Sequence, residues 1–585
     1  MAASKSSLGV LGVKEGERVP GTTRYFGEDP NAHLSISETA NLKKDPKTGI
    51  ILTPQPSDDP NDPLNWPIGK RDLITFVLCW AGILATCLGS ILAANTIKLK
   101  VDIFRSSKLS ITDIVVLTGY FLLGAGAAAI FFVPSGRIWG KRHLFVIGLA
   151  LVVVSSAWAG GVGNDYKSMI GARVVQGIAC APFESMLNAA VGDLYFVHER
   201  GWRMAFANLA IFGSAFFTPI VTGKITASLS FYWTMNLVAI FSGVTFPAVI
   251  LLCPETAYRR ASKYNTDFGS GTTSGGEEPK GEEEAPPATA PATGERLEYP
   301  GIGVNGLILL PSLRPQPIGN ASTPKKTFWE SLSFFDGTKT DDNYFMLLFR
   351  PFFLIANPTF IWACLIQGTM IGWTVFIGVI LGALFIGPPY FWGEVYAGYA
   401  YAPGFIGALV AFVICGVLAD PLTAYLTKKN GGLYEPEFRL FLIIPMIITG
   451  AIGLFGFAMV GGEVFSGRYS YMVPLTFFGF EVCSMVIGTV GSALYVVDAY
   501  RDISVEGFTL MIIFKNFFSY MLTYFAVDWL AVDIKRTMLI VSGVQIAICL
   551  TTIPLYFFGK RCRAFFHRHD VFAPLNALGD MLSGK

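Results

Sequence analysis

YKSMIGARVVQGIACAPFESMLNAAVGDLYFVHERGWR, residues 166–203, is apolar enough to cross a bilayer, yet it carries Arg173, Gln176 and Glu184 inside the crossing. Asp193, His198, Glu199, Arg200 and Arg203 crowd its far end. An ionised side chain at bilayer depth costs about 3 kcal/mol or more, so such residues are rare and usually functional. On a helix turning 100° per residue, Arg173 and Glu184 fall on one face to within roughly 20°, and a rise of 1.5 Å per residue separates them by roughly 16 Å. That is too far for a direct ion pair. With Gly177 and Cys180 between them, the face reads as the lining of a cavity. The plainer alternative is that neighbouring helices neutralise each residue and the stripe only holds a bundle.

The surroundings agree with a membrane setting. Of 585 residues, 52% are hydrophobic, 14% aromatic and only 15% charged, which excludes an ordinary soluble domain of this length. The net charge of +2 gives no footprint for nucleic acid. Seven of the nine cysteines (Cys79, Cys87, Cys180, Cys364, Cys415, Cys483 and Cys549) sit in apolar runs without metal-ligand spacing, and read as packing residues. A crossing needs about 20 apolar residues. Twelve runs qualify: 72–94, 112–133, 144–163, 168–190, 205–225 and 231–253, then 358–386, 396–418, 439–460, 471–497, 505–528 and 537–558. The first is too long for a signal-peptide core and reads as an uncleaved anchor.

The expected organisation is a disordered tail (1–70), a six-helix bundle (71–254), a largely disordered central loop (255–350), a second six-helix bundle (351–559) and a short tail (560–585). The fold class is therefore all-α, with twelve transmembrane helices in two pseudo-symmetric bundles. Within the central loop, TFWESLSFF (327–335) reads as a short interfacial helix, and Asn320-Ala-Ser322 is a formal glycosylation sequon. Basic residues in short loops, among them Arg137, Lys141, Arg142, Lys428, Lys429, Lys560 and Arg561, place both termini in the cytoplasm. Lys98, Lys100, Arg105 and Lys108 in the first outer loop dissent, as do Lys535 and Arg536. Asp193-Leu-Tyr195 closes the fourth run and Asp498-Ala-Tyr500 the tenth, which suggests a duplicated half.

Anchoring the halves on Asp193 and Asp498 puts Glu481 near the depth of Arg173, and Glu184 near that of Thr489. Two acids at different depths can hand protons along a path, because a desolvated carboxylate binds its proton more tightly. A structural pair between Glu481 and Lys515 on the adjacent eleventh run is an equally good reading. Gly213, Pro219 and Gly223 in the fifth run allow close packing and bending. Asp420, after the eighth run, reads as an inter-helix latch or a solvated helix end. No phosphate loop, metal motif or catalytic constellation is present in the sequence, so neither an enzyme nor a cofactor is expected.

With the charges placed, the chain resembles the major facilitator superfamily. Within it, the likeness is to the fungal twelve-span drug:proton antiporters, and there to the polyamine and histidinol permease type. The motifs are SDDPNDPLNWP (57–67), RVVQG (173–177), APFES (181–185), DLYFVHERG (193–201), PETAYRR (254–260), PPYFW (388–392), KNGGLYEPEFRL (429–440), YVVDAY (495–500) and FGKRCR (558–563). The resemblance implies that Arg173 and Gln176 belong to a proton-coupling motif, and Gly213, Pro219 and Gly223 to an antiporter motif. One departure is plain. Where the family has G-x-L-A-D-R-x-G-R-R, this chain has VPSGRIWGKR (133–142), with Arg137 in place of the acid.

The resulting expectation is a proton-coupled transporter of cationic or amphipathic small molecules, working by alternating access, an exporter by proton antiport. Uptake of organic cations such as polyamines and a non-transporting nutrient receptor are the alternatives. Glu184 and Glu481 are expected to recognise protons and cations, Arg173 to tune the former's environment and Lys515 to act as counter-ion, while the resemblance implies that Gln176 joins Arg173 in proton coupling. Tyr120, Trp373, Tyr495 and Tyr524 are expected to line the cavity. Asp193, Asp498 and Asp420, with Gly213, Pro219 and Gly223, are expected to serve gating and packing. The partners are the substrate, protons and the lipid bilayer; the protein is expected in the plasma membrane as a monomer.

Overall fold

Apolar runs become helices here because a bilayer offers the backbone no partner but itself. In the computed structural model, twelve helices among the described residues are long and apolar enough to cross a membrane. Spans 1 to 6 are Ile68–Asn95, Ile111–Trp139, Arg142–Gly160, Tyr166–Leu194, His198–Ser228 and Phe231–Leu252. Spans 7 to 12 are Pro358–Gly382, Glu394–Lys429, Pro436–Gly461, Met472–Ala499, Ser504–Ala526 and Ile534–Arg568. The structure describes residues 8–13, 19–24, 43, 52, 54–104, 109–260, 322–340, 342–386, 390–461, 463, 468–569 and 572. Asn320 of the sequon, Arg105, Lys108, Pro388 and most of the expected central loop lie outside them.

Several helices outrun their apolar stretch. Span 2 continues to Trp139, span 8 to Lys429 and span 12 to Arg568, because helical bonding persists into polar residues beyond the hydrocarbon. Side-chain caps set some starts. Ser110 Oγ accepts from Asp113 N (3.2 Å) while the Asp113 carboxylate accepts from Ser110 N, a capping box at span 2. Asp165 accepts from Lys167 N (3.0 Å) at span 4.

Packing order departs from chain order. Span 11 lies against spans 2 and 7, whereas span 10 packs into spans 8 and 9 and barely meets span 11. Spans 2 and 4 touch backbone to backbone, since a Cβ on Gly177 would strike the Phe121 carbonyl and one on Gly124 the Val174 carbonyl. Span 1 is interrupted: regular helix ends at Ser90, and a 3-10 turn follows at Ala93–Asn95.

Parts of the expected N-terminal tail are built into the fold. β1 (Thr23–Arg24) pairs antiparallel with β2 (Leu433–Tyr434) beside span 9. Val10 is buried against Leu426, Tyr434 and Phe438. Leu11 N donates to Phe557 O (3.1 Å), and Tyr556 OH donates to Leu8 O (3.0 Å). The expected central loop also contains a helix, Tyr344–Phe353, as well as the short turn Phe328–Ser331.

The SDDPNDP stretch pins the chain that follows span 6. Tyr258 OH donates to Asp59 Oδ2 (2.6 Å), and Arg260 grips Asp62 with Nε (3.0 Å) and Nη2 (2.8 Å). Burial alone would raise the Asp62 carboxyl. The Arg260 charge and hydrogen bonds, with Ser57 N and Leu64 N, hold it below the ordinary aspartate value instead. A depressed carboxyl contributes stability above its unfolded value and loses it as pH falls through its folded value. The clasp is therefore intact at neutral pH and opens only in acid. Asp62→Asn should cost about 1.5–3 kcal/mol at pH 7, the range for hydrogen bonds to a charged group. The difference from wild type in thermal unfolding should vanish under strongly acidic conditions.

Candidate functional site

Arg173 is the first residue whose surroundings differ from the cavity-facing stripe. It is wholly buried against spans 1 and 2. Its Nε donates to Leu117 O (3.2 Å), and its Nη1 to Leu88 O (2.6 Å) and Gln176 Oε1 (2.8 Å). Leu88 belongs to the last turn of the helix that stops at Ser90, where carbonyls lack helical partners and the dipole is negative. No carboxylate is needed, because the broken helix itself supplies the counter-charge. The Phe121 ring adds a cation–π contact at 5.0 Å. Arg173 and Gln176 thus secure the break in span 1, and Gly177 serves the contact with span 2. Of the stripe, Glu184 is the residue that reaches the cavity.

That cavity, about 360 Å³, lies between the halves. Its size is that of a small-molecule site. Thr86 and Ser214 (Oγ1···Oγ 2.7 Å), Phe121, Phe212, Phe216 and Tyr401 supply much of its character. At its floor Lys515 Nζ of span 11 meets Glu184 Oε2 of span 4 at 3.1 Å, and Asn516 Nδ2 donates to the same oxygen (3.2 Å). Phe212 lies 5.5 Å from Lys515 Nζ. Below the pair, on the side bearing the termini, a smaller pocket of about 20 Å³ is lined by Asn188, Asn208, Gln367 and Thr489, with Glu184 and Lys515 shared. The ion pair is a partition between two compartments, and it joins the two halves.

The expected Glu481–Lys515 pair is not formed. Glu481 sits wholly inside the second half, where Thr374 Oγ1 of span 7 lies 2.6 Å from its Oε1 and its Oε2 has no partner. Lys515 turns instead across the interface to Glu184.

The four aromatics expected to line the cavity lie elsewhere. Tyr120 packs on Tyr520 at 6.3 Å between ring centroids. Trp373 is buried and donates to Gln545 Oε1 (3.1 Å). Tyr495 is buried edge-on to Trp362, and Tyr524 is exposed on the outer surface of the helices.

Ion pairs fasten the halves on both sides of the cavity. On the terminal side Arg137 pairs with Glu506 at the start of span 11 and with Asp342 (3.4 Å). Arg350 binds Asp342 at 3.0 Å. Arg137, which breaks the family pattern, thus makes a latch of reversed sign. Lys141 pairs with Asp193. In the second half Arg439 bridges Asp420 and Asp498, each at 2.9 Å, and Tyr434 OH donates to Asp498. On the opposite side Lys98 meets Glu394 at 3.3 Å, both partly exposed. There Gly223 abuts the Glu394 carbonyl and Gly398 abuts the Pro219 carbonyl, while Gly213 closes a π-helical turn, Leu209–Gly213. An exposed pair contributes little, about 0–1 kcal/mol. The terminal side is therefore the more firmly closed.

One cluster has no counterpart among the expected site residues. Arg563, wholly buried, binds Glu437 (2.7 Å) and Glu435 (3.3 Å), and also the Pro20 carbonyl. Lys560 completes it on Glu435, and Thr22 Oγ1 donates to Glu435 Oε2 (2.8 Å). The signal was present in the opposed charges of EPE (435–437), just before the ninth apolar run, and KRCR (560–563), just after the twelfth.

Comparison with known proteins follows the same outline. The family model described as the Major Facilitator Superfamily matches residues 74–502. Protein HOL1 of Saccharomyces cerevisiae is 25% identical over 94% of this chain and 96% of its own length. Multidrug transporter TPO1_2 of Candida glabrata is 27% identical over 36% of each chain. Among solved structures, the proton:xylose symporter XylE of E. coli superposes with a TM-score of 0.53 at 12% identity, covering 84% of this chain and 97% of that one.

Proposed function

The chain belongs to the Major Facilitator Superfamily and is a multi-pass membrane transporter, and on that premise we propose that it exports cationic or amphipathic small molecules by proton antiport. The observation that carries this reading is the Glu184–Lys515 pair, a buried carboxylate held by a side-chain ammonium at the boundary of two compartments and two halves. An incoming organic cation offers the same group as Lys515 and competes for the same carboxylate. Phe121, Phe212, Phe216 and Tyr401 suit an amphipathic body and a cationic head. Displacing Lys515 dissolves a contact between the halves, so occupancy is coupled to the rocking that alternating access requires.

Lys98–Glu394 is the weaker closure, so the state described is poised to open on the side opposite the termini. The basic loops support termini on the cytoplasmic side, and the plasma membrane is the proposed location.

The test uses purified full-length protein. Organic cations, drugs and amino-acid derivatives are screened for a rise in melting temperature, and those that stabilise are followed in proteoliposomes under an imposed pH gradient. Antiport predicts that substrate moves against the proton flow. Movement with the protons replaces export by uptake. Binding without movement under either gradient overturns transport and leaves a receptor.

A further inference from the structure

We propose that the small chamber beneath the Glu184–Lys515 pair is a second station for the Lys515 ammonium, which moves there when an organic cation takes its place on Glu184. This rests on the reading of Glu184 as the cation site of a transporter. The chamber, about 20 Å³, has room for one small group and none for a substrate. Among its lining residues only Glu184 and Lys515 are charged, and its walls carry acceptors that are unused in the present state. Gln367 of span 7 is 8% exposed, and its Oε1 has no partner. Asn188 follows Glu184 by one helical turn on span 4. A fixed chain of donors sets its amide. Asn208 Nδ2 donates to Met204 O (2.9 Å), and a main-chain carbonyl only accepts. Asn208 therefore turns Oδ1 toward Asn188, which meets it with Nδ2 (3.2 Å), and Asn188 Oδ1 is left buried without a donor. Thr489 Oγ1 of span 10 gives its hydrogen to Met485 O (2.9 Å) and so can only accept.

Three acceptors without hydrogens call for a group that carries three, and an ammonium is that group. Lys515 brings one. It lines the chamber as well as the cavity above, and its Nζ now stands 3.1 Å from Glu184 Oε2. Its backbone lies against the stretch of span 7 that carries Gln367: a Cβ on Gly368 would stand 3.4 Å from Lys515 Cα. Unmet acceptors cost free energy in the present state, and a displaced ammonium with no second place to go would be a buried, unpaired charge. One movement removes both costs. When a cation binds Glu184, Lys515 turns toward the terminal side and satisfies the orphaned oxygens. The ion pair between the halves then becomes an ammonium held by neutral groups, Asn188 of the first half and Gln367 and Thr489 of the second. The halves are freer to rock in that state than in the one described.

A melting-temperature cycle on the full-length protein tests the station without any ligand. Gln367→Met removes an acceptor and keeps the shape. In the wild type, where that oxygen is unmet, it should leave the melting temperature unchanged or raise it. In the Glu184→Gln background the upper site has lost its charge and Lys515 turns down, so the same change should lower it by about 2 °C. Gln367→Glu in that background should raise it, because an ion pair forms at the station. With Lys515→Met added, the loss from Gln367→Met should vanish and Gln367→Glu should no longer stabilise. An effect of one sign in both backgrounds, or one that persists without Lys515, gives the chamber to packing or a water and overturns the proposal. Binding supplies a second measurement in variants that keep Glu184. Tetraphenylphosphonium should bind Gln367→Met about tenfold more weakly than wild type, as for one lost hydrogen bond to a charged group, and Gln367→Glu more tightly. Equal affinity in all three overturns the station. A wild type that binds no organic cation overturns the reading of Glu184 instead, while the cycle still decides the station.

Discussion

Gradient-driven transport should disappear in Glu184→Gln, with the protein still folded. Glutamine keeps an acceptor for Asn516 but removes the charge that Lys515 and a cationic substrate share. Removing one member of a desolvated, hydrogen-bonded charge pair costs about 2–5 kcal/mol in binding. Affinity for an organic cation should fall accordingly, as read by the shift in melting temperature with ligand. Lys515→Gln has the opposite first effect: the carboxylate loses its competitor, so cations bind more tightly and leave more slowly. The exchange Glu184→Lys with Lys515→Glu should restore the contact between halves and the melting temperature without restoring cation affinity. Cation-driven flux at wild-type rate in Glu184→Gln would remove Glu184 from the mechanism.

The second large effect concerns the fold. Arg563→Met should lower stability by about 3–5 kcal/mol, the range for a buried pair stripped of one partner. Glu435 and Glu437 are both fully buried, and among the described residues the ion pair left to them is that of Lys560 with Glu435. The Pro20 carbonyl and Thr22 lose their donor at the same time, so the β1 segment should become sensitive to protease. Thermal unfolding in detergent and limited proteolysis read the two consequences. Arg563→Lys keeps the charge but loses the fork that reaches both carboxylates, and should fall between wild type and Arg563→Met. Changing Glu435, Glu437 and Arg563 together to apolar residues should recover much of the loss, because no unpaired charge is then left inside. A melting temperature unchanged by Arg563→Met would show the cluster to be dispensable.

How much of this was written in the sequence differs by scale. The twelve crossings were legible, since apolar length is a local property and the bilayer sets it. The acids Glu184 and Glu481 were legible for the same reason: charge within an apolar run stands out. Their partners were not. Lys515 was assigned to Glu481 because spans 10 and 11 are consecutive, but in this fold span 11 leaves its chain neighbour to lie against span 2, close to Glu184. Arg173 was read as a cavity residue because it shares a helix face with Glu184, and what holds it instead is a break in another run, 72–94. Its stop at Ser90, which creates the carbonyls that Arg173 caps, leaves no mark in hydropathy. Tyr120, Trp373, Tyr495 and Tyr524 show a third limit. Ring chemistry suits a cavity, a packed interior or the lipid surface equally, and only tertiary placement decides. Thr374 escaped notice because a threonine in a membrane helix is unremarkable until a carboxyl is found beside it.

The β1–β2 pairing has a further consequence, in the order of biosynthesis. Thr22 and Arg563, in contact in the finished protein, are 541 positions apart. A ribosome adding about 5–20 residues per second makes the second roughly half a minute to two minutes after the first. Until Leu433–Tyr434 has been made β1 has no strand to pair with, and to the end of the interval it has no guanidinium to grip the Pro20 carbonyl. It can settle only when span 12 has been threaded and its terminal-side end has emerged beside Glu435 and Glu437. Completion of the Arg563 cluster around β1 is therefore among the last steps of assembly, and a protease-resistant N-terminal segment marks the molecules whose insertion is complete.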